Sequence, residues 1–310
     1  VRAELIEDAG AAAESNEFFR SRPFLDAEEV THTLRIETDG ADLVAPLIVR
    51  EIPGDAGIDA ISPYGYPGIV VRSPAPPALD PKKIDFSATH LLSIFIRHTL
   101  ADPLPLVGVA ERNVVQIADP ALPAKSRGSD RNRINRNKRD GYTVDVVPGP
   151  QTSPEQRAGF LAAYEQTMHR TGAAGRYFFG AAYFDRLLES DRAWLALARG
   201  PGGDVAAASL TVRSDGFLHY YLSGSADDHL RASPMKNVVA ALVELATELD
   251  LPLNLGGGLS RDDALEEFKR GFANREQPWH VSEIVCDRAA YDRLSAGREP
   301  TGFFPAYRSS

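Results

Sequence analysis

Cysteine is nearly absent from this 310-residue chain. Cys286 stands alone, which excludes an internal disulfide framework and any cysteine-built zinc site. Lysine is scarce too: there are six, and the remaining basic residues are arginine, a bias that fits a GC-rich genome better than a chemical need. No window approaches the roughly 18 consecutive apolar residues that a membrane-spanning helix needs. No basic segment followed by an apolar one opens the chain either, so a cytoplasmic location is expected. The seven histidines (His32, His90, His98, His169, His219, His229 and His280) show no metal-ligand spacing, and no metal or cofactor is expected. A Gly-x-Ser-x-Gly nucleophile elbow is missing. Gly256-Gly257-Gly258 lacks both the Lys-Ser/Thr of a phosphate loop and the spaced glycines of a dinucleotide fingerprint.

What is present is ordinary globular composition, 43% hydrophobic and 25% charged, enough for two modest domains. The net charge of −9 argues against a generic nucleic-acid binder, and no DNA partner is expected. The average hides one feature. From Lys125 to Asp140 seven cations (Lys125, Arg127, Arg131, Arg133, Arg136, Lys138, Arg139) face only Asp130 and Asp140. That net of +5 leaves −14 for the rest of the chain, a concentrated basic segment on an acidic body.

Periodicity and punctuation give an α/β chain. Residues 33–37 and 43–51 form a hairpin across Thr38-Asp39-Gly40, residues 68–71 form a buried strand, and a loop follows at 74–77. Residues 86–100 read as a helix with Leu91, Leu92, Phe95 and Ile96 on one face and Ser87 as its cap. Strands are expected at 106–109, 114–117 and 142–147, with Gly141 closing a basic helix. After a break at Pro148-Gly149-Pro150 come helices at 153–168 and 183–189 and strands at 194–198, 205–213 and 217–223. The clearest helix follows: Ser233 caps it, Pro234 opens it, and Met235, Val238, Val239, Leu242, Leu245, Ala246 and Leu249 face one way. A strand at 253–255, a helix at 263–270 capped by Asp262, a strand at 281–286 and a helix at 289–295 complete the order. Helix, antiparallel strands, long helix, strand, helix and strand is the order of an acetyltransferase-like (GNAT) lobe. The first half fits it more loosely. The expected plan is two tandem lobes, residues 1–150 with the basic connecting helix and residues 151–310, each with a mostly antiparallel sheet flanked by helices.

Leu253-Asn-Leu-Gly-Gly-Gly-Leu259 followed by Ala264-Leu-Glu-Glu-Phe268-Lys269-Arg-Gly271-Phe272 resembles the C-terminal signature of the FemABX family. The stretches 126–144 and 160–188, with Thr167, Arg170, Gly172 and Tyr183, agree with the family's lobe junction and second-lobe opening. Ser62-Pro-Tyr-Gly-Tyr-Pro-Gly68 resembles a turn of related acetyltransferase-like proteins. There is no counterpart of the helical hairpin that some members insert, so the compact FemX-like branch fits best. The resemblance implies an enzyme that moves an amino acid from aminoacyl-tRNA onto the free amine of a peptide-like acceptor, forming a peptide bond. That acceptor would be a peptidoglycan precursor or a peptidyl-nucleoside antibiotic.

Within that frame Lys269 is the first catalytic candidate, because aminolysis of an ester passes through an oxyanion that a fixed cation stabilises. Alone, a lysine at a helix C-terminus reads as a favourable dipole contact. Phe268 is carried with it as the matching pair, although its spacing with Leu265 also suits the core. The basic segment is a candidate track for tRNA phosphates. Tyr64, Tyr66, Arg170, Arg176, Tyr177, Tyr220 and Tyr221 are candidate substrate contacts. Of the adjacent tyrosines on one strand, one faces each side. Asp227-Asp228 and Glu266-Glu267 are carboxylates near the motif, but the general base stays unassigned. At Arg231–Asn237 the helix start lacks the glycines with which coenzyme-A-using GNAT enzymes cradle a pyrophosphate, and Pro234 has no N–H to offer. An N-acyltransferase fed by acyl-CoA or by an acyl carrier protein is the alternative, and a non-catalytic RNA- or peptide-binding module is another.

Overall fold

The computed structural model describes the chain except residues 55, 73–77, 102, 259–261, 300 and 310. The loop expected at 74–77 therefore lies outside the described residues. The first elements are β1 (Arg2–Ile6), α1 (Arg22–Ala27), β2 (His32–Glu37), β3 (Asp42–Glu51), β4 (Ile58–Ile61), β5 (Val70–Arg72), β6 (Leu91–Arg97) and β7 (Ala110–Ala118). Then come α2 (Gly128–Arg139), β8 (Thr143–Pro148), α3 (Pro154–Thr171), α4 (Ala181–Leu188), β9 (Ala193–Arg199), β10 (Val205–Ser214) and β11 (Phe217–Ser225). The chain ends with α5 (Met235–Glu248), β12 (Leu253–Gly256), α6 (Ala264–Arg270), β13 (Arg275–Val285) and α7 (Arg288–Ser295).

Two compact units emerge. One holds residues 1–15, 19–112 and 279–310, and the other holds 16–18 and 113–278. The boundary expected at 150 falls inside the second unit. There β8 pairs with β9 from Thr143↔Arg199 to Pro148↔Trp194, so α2 and β8 belong with the strands that follow them. The C-terminal residues return to the first unit through the fully buried Asp59. Its carboxylate accepts from Tyr307 Oη at 2.9 Å and pairs with Arg50 at 2.9 Å and Arg308 at 2.5 Å. Three donors on one buried carboxylate satisfy a charge that would otherwise oppose folding.

In the first unit the strands run β1-β2-β3-β4-β6-β13, with β5 on β3. The hairpin β2–β3 forms, with Glu37↔Asp42 as the closing pair, although neither Asp39 nor Gly40 takes a positive φ. The helix expected at 86–100 is not there. A short 3-10 turn at Ser87–Thr89 leads into β6, which pairs in parallel with β4 and antiparallel with residues 281–285 of β13. Leu91, Leu92, Ile94 and Ile96 are all buried, so the strand is apolar on both faces and its run imitates a helical stripe. Residues 106–109 also form no strand; Leu106 makes one isolated bridge to Leu79. The strand expected from 68 begins at Val70 and is only half-buried.

The second unit runs β7-β12-β11-β10-β9-β8. Its helices start where the sequence signals, with two shifts. Ser153 makes a full capping box with Gln156, and Gly172 closes α3 in the left-handed conformation. Asp263 rather than Asp262 caps α6, and Ser233 precedes Pro234 in a left-handed conformation without capping α5. Val238, Val239, Leu242 and Ala246 press α5 onto Ala196, Ala198, Ala207 and Leu218 of the sheet. The row of alanines lets the helix approach closely, and the burial of these side chains drives the lobe together.

Candidate functional site

The second unit opens where β11 and β12 part. They pair through two rungs only, Leu218 with Leu253 and His219 with Asn254. Side chains lock the last rung. Asn254 Nδ2 donates to His219 Nδ1 at 3.0 Å, which leaves the proton on Nε2 to donate to Ser214 O at 3.2 Å. The ring is neutral, and burial pushes its pKa down to about 4. Because the unfolded histidine binds its proton near pH 6.5, the rung contributes stability above that pH and loses it as the pH falls towards 4. His98, also fully buried and pushed down to about 4 by burial and by His280, adds to the same window. Urea midpoints should therefore fall steeply between pH 7 and 4.5 in the wild type and less steeply in His219→Gln. Equal slopes would remove His219 from the acid response.

Beyond that rung lies a cavity of about 270 Å3. On its strand wall, Leu210 faces Leu222 while Thr211 faces Tyr220, so Tyr221 is the extra residue of a β-bulge. Tyr220 turns into the cavity, its hydroxyl held protonated by burial that pushes its pKa up to about 12. Tyr221 turns away to meet Tyr183 Oη at 3.2 Å and the ring of Phe18. A Cβ on Gly224 would stand 2.4 Å from Ala163 O and 2.5 Å from Tyr164 Cα, so glycine there lets α3 lie against β11. Helix α3 then contributes Thr167 and Arg170. Thr167 Oγ1 accepts from Ser225 N at 2.9 Å and from Arg170 Nη2 at 3.0 Å, and Arg170 is ion-paired with Asp227.

The opposite wall is the start of α5 with α6. The N–H groups of Ser233, Lys236, Asn237 and Val238 are spent on the carbonyls of Leu230, Ser233 and Pro234. Pro234 has none to give. That leaves only the Met235 N–H free, where a pyrophosphate cradle presents several amides together. Lys236 lines the cavity with its ammonium 2.6 Å from Asp130 Oδ1 of α2. Asn137 Nδ2 donates to Asn237 Oδ1 and to Ala232 O, both at 2.8 Å. Helix α2 is thus fastened to α5 by polar contacts as much as by Ile134, which is why its few apolar residues suffice. The sequence reading singled out neither Asp130–Lys236 nor the asparagine pair; the spacing Asp130, Ile134, Asn137 along one helix face was the available signal.

Phe268 and Leu265 of α6 complete the cavity. Lys269, the next residue, does not line it. It is buried, and its Nζ donates to Gly257 O at 2.6 Å. Burial lowers its pKa to about 8, against the opposing pull of Asp263 and Glu266. The glycines above it are sterically dictated. A Cβ at Gly256, whose φ is +75°, would press to 3.2 Å on that ammonium, and one at Gly257 would stand 2.7 Å from Val114 O.

The other candidates fall elsewhere. Tyr64 and Tyr66 belong to the first unit, where Tyr64 N donates to Glu28 at 2.8 Å and Tyr66 packs on Phe19 and Trp279. Arg176 lies over the ring of Tyr177 at 5.0 Å, outside the cavity. Glu266 is buried and paired with Arg270, and Glu267 pairs with Arg127 at 2.6 Å. Lys125 is exposed, Arg131 is bound to Ser126 O, and Arg136 lies 3.5 Å from Asp140. Arg133, Lys138 and Arg139 have no ion-pair or hydrogen-bond partner among the described residues. Among the described residues no group of three or more histidine, cysteine or carboxylate side chains could hold a metal ion, and no helix is long and apolar enough to cross a membrane.

Residues 124–270 match the family model described as an acetyltransferase (GNAT) domain. No protein of curated function matches the chain by sequence. Among solved structures, FemX superposes with a TM-score of 0.61 at 11% identity, over 93% of this chain and 97% of that one. The C-terminal domain of a putative lysylphosphatidylglycerol synthetase from Agrobacterium fabrum gives 0.57 at 14% identity, over 93% and 90%. L-PGS from Bacillus licheniformis gives 0.54 at 13% identity, over 83% and 85%. At these identities the likeness is one of fold. The chain has a GNAT-like α/β fold, a mixed sheet flanked by helices, and that fold is one of acyltransferases.

Proposed function

We propose that the second unit transfers an aminoacyl group from aminoacyl-tRNA to the free amine of a small peptide-like acceptor, a peptidoglycan precursor or a peptidyl-nucleoside antibiotic. The observation that carries this reading is the start of α5. A GNAT-like donor slot bounded by Phe268 stands there with one free backbone donor, Met235 N–H, in place of the several that a coenzyme A pyrophosphate would need. The resemblance of Phe268-Lys269 and its glycine-rich context to the FemABX signature supports an ester donor carried by tRNA. Helix α2, fastened beside that slot through Asp130 and Lys236, offers cations for the phosphates of the donor's stem.

In the step itself the acceptor nitrogen attacks the ester carbonyl carbon. A C–N bond forms, the C–O bond to the terminal ribose breaks, the nitrogen loses a proton and the ribose oxygen gains one. Lys269 acts from behind the wall. Its ammonium holds the Gly257 carbonyl, and a trans peptide sets the Gly258 N–H on the opposite side, polarised by the cation as a donor for the oxyanion. Tyr220 on the strand wall and Arg170 on α3 orient the donor. Arg176, Tyr177 and Tyr221, in the same unit, are left as acceptor contacts. An acyl carrier protein is the second reading, because a carrier-borne thioester needs no pyrophosphate cradle either.

The test is a transfer assay with a mixed pool of charged tRNAs, synthetases, ATP and candidate amines, beside RNase-treated, acetyl-CoA and loaded-carrier arms. Product abolished by RNase is expected. RNase-insensitive product, or product only from a thioester arm, replaces the tRNA donor with the acyl carrier or acyl-CoA.

A further inference from the structure

The cavity beyond the last rung of β11 and β12 has an apolar interior, with Met235 and Phe268 facing Tyr220. Its rim is apolar as well. Leu230 and Leu265 are each 41% exposed, two of only seven large hydrophobic side chains left that open among the described residues. Leaving two of them at one mouth is unfavourable unless something apolar covers them. Among the described residues the charged side chains lining the cavity are both cations, Arg170 and Lys236, and no carboxylate lines it. Two nearby acids are already engaged, and the exposed Asp228, two residues before Leu230, does not line the cavity. Asp227 is paired with Arg170, and Asp130, nearly buried, is paired with Lys236. A side-chain ammonium entering this space would give up water and find two cations and no carboxylate on the described lining. A branched or aromatic side chain would cover Leu230 and Leu265 and keep its contacts apolar.

We infer that the cavity selects the side chain of the donor's acyl group and that this side chain is neutral, apolar and larger than methyl, cationic side chains such as that of lysine being rejected. This rests on the reading of the second unit as a transferase. It sets the protein apart from the lysylphosphatidylglycerol synthetase whose fold it shares, a name that implies a cationic amino acid. Leu265 is the specificity handle: it stands on the first turn of α6, where an aspartate suits the helix and the backbone needs no adjustment.

The experiment measures binding by calorimetry with two non-reactive donor mimics, one an amide-linked 3′-aminoacylamino-adenosine and the other a pantetheine amide. Each carries an apolar group (leucyl or isovaleryl), a small one (alanyl or acetyl) or a cationic one (lysyl or 6-aminohexanoyl). On whichever handle binds, the apolar group should bind at least about tenfold tighter than the cationic and the small ones. Leu265→Asp should shift the ratio at least about tenfold towards the cationic group, with an unchanged melting temperature showing that the variant is folded. Discrimination on the pantetheine handle alone would uphold the selection while removing the tRNA donor. Equal or tighter binding of the cationic or small group by the wild type overturns the selection. So does an unshifted ratio in Leu265→Asp, and so does binding of neither handle.

Discussion

Lys269→Met should slow transfer on the order of a hundredfold while leaving the melting temperature at pH 7 within about 5 °C of the wild type. The two halves of that result have different causes. Removing the ammonium leaves the Gly258 N–H in place but unpolarised, so the loss expected is the lower end of the roughly 10² to 10³ that losing an oxyanion donor costs. In the fold the same ammonium is expensive, because burial holds its pKa at about 8 against an ordinary 10.5. Methionine escapes that cost but leaves the Gly257 carbonyl without its donor, and the two changes oppose each other. The sign of the pH dependence follows. Between pH 8 and 10.5 the unfolded chain binds a proton that the folded chain does not, so wild-type stability relative to the variant should climb across that interval. Below pH 8 both states are protonated and the difference should be flat. Near wild-type turnover in Lys269→Met would take the residue out of the mechanism. A variant that is slow and also unfolded would make Lys269 a structural anchor of the glycine turn.

How much of this was legible in the sequence depends on which physical signal each element carries. Helix α3 is signalled by the Ser153 cap and the proline after it, and α5 by Pro234 and one-sided apolar spacing; both form, Pro234 as the residue before α5, while α6 takes Asp263 as its cap in place of the expected Asp262. Strand β6 did not. Its side chains are buried on both faces between β4 and β13, so no alternation survives to distinguish it from a helix. The boundary near 150 was placed by the Pro148-Gly149-Pro150 break, which is a genuine turn, yet turns punctuate lobes as well as separate them. The return of Tyr307 and Arg308 to Asp59 lies nearly 250 residues away in sequence and leaves no local trace.

The candidate site divides in the same way. Phe268, whose spacing also suits the core, and Tyr220, one of two adjacent tyrosines between which alternation alone does not choose, both line the cavity. That Lys269 faces the Gly257 carbonyl while its neighbour faces the cavity is a matter of one helical step of about 100°. Thr167 and Lys236 were visible only as parts of longer matches. Their importance comes from Ser225 and Asp130, partners that tertiary contact supplies.

The basic helix offers the second large effect. Arg133, Lys138 and Arg139 replaced together by glutamine should weaken tRNA binding on the order of a hundredfold at 50 mM salt and flatten its salt dependence by about 2 to 3 in slope. These three are the right choice because their heads have no ion-pair or hydrogen-bond partner among the described residues, whereas Arg127 is paired with Glu267 and Asp130 with Lys236. Removing unpartnered cations should spare the asparagine contacts that fasten α2 to α5, so the melting temperature should hold. The slope, not the affinity alone, decides the matter. Each phosphate neutralised releases counterions and adds roughly 0.7 to 0.9 to it, while a lost shape contact leaves it unchanged. Arg22 and Arg288, exposed arginines of the first unit already held by Asp26 and Asp292, provide the control, since their replacement lowers the net charge without touching the segment. If the control pair flattens the slope as much per charge as the helix triple, the binding is to the protein's general field. If neither moves it, the +5 segment is a solvated surface and the donor's phosphates lie elsewhere.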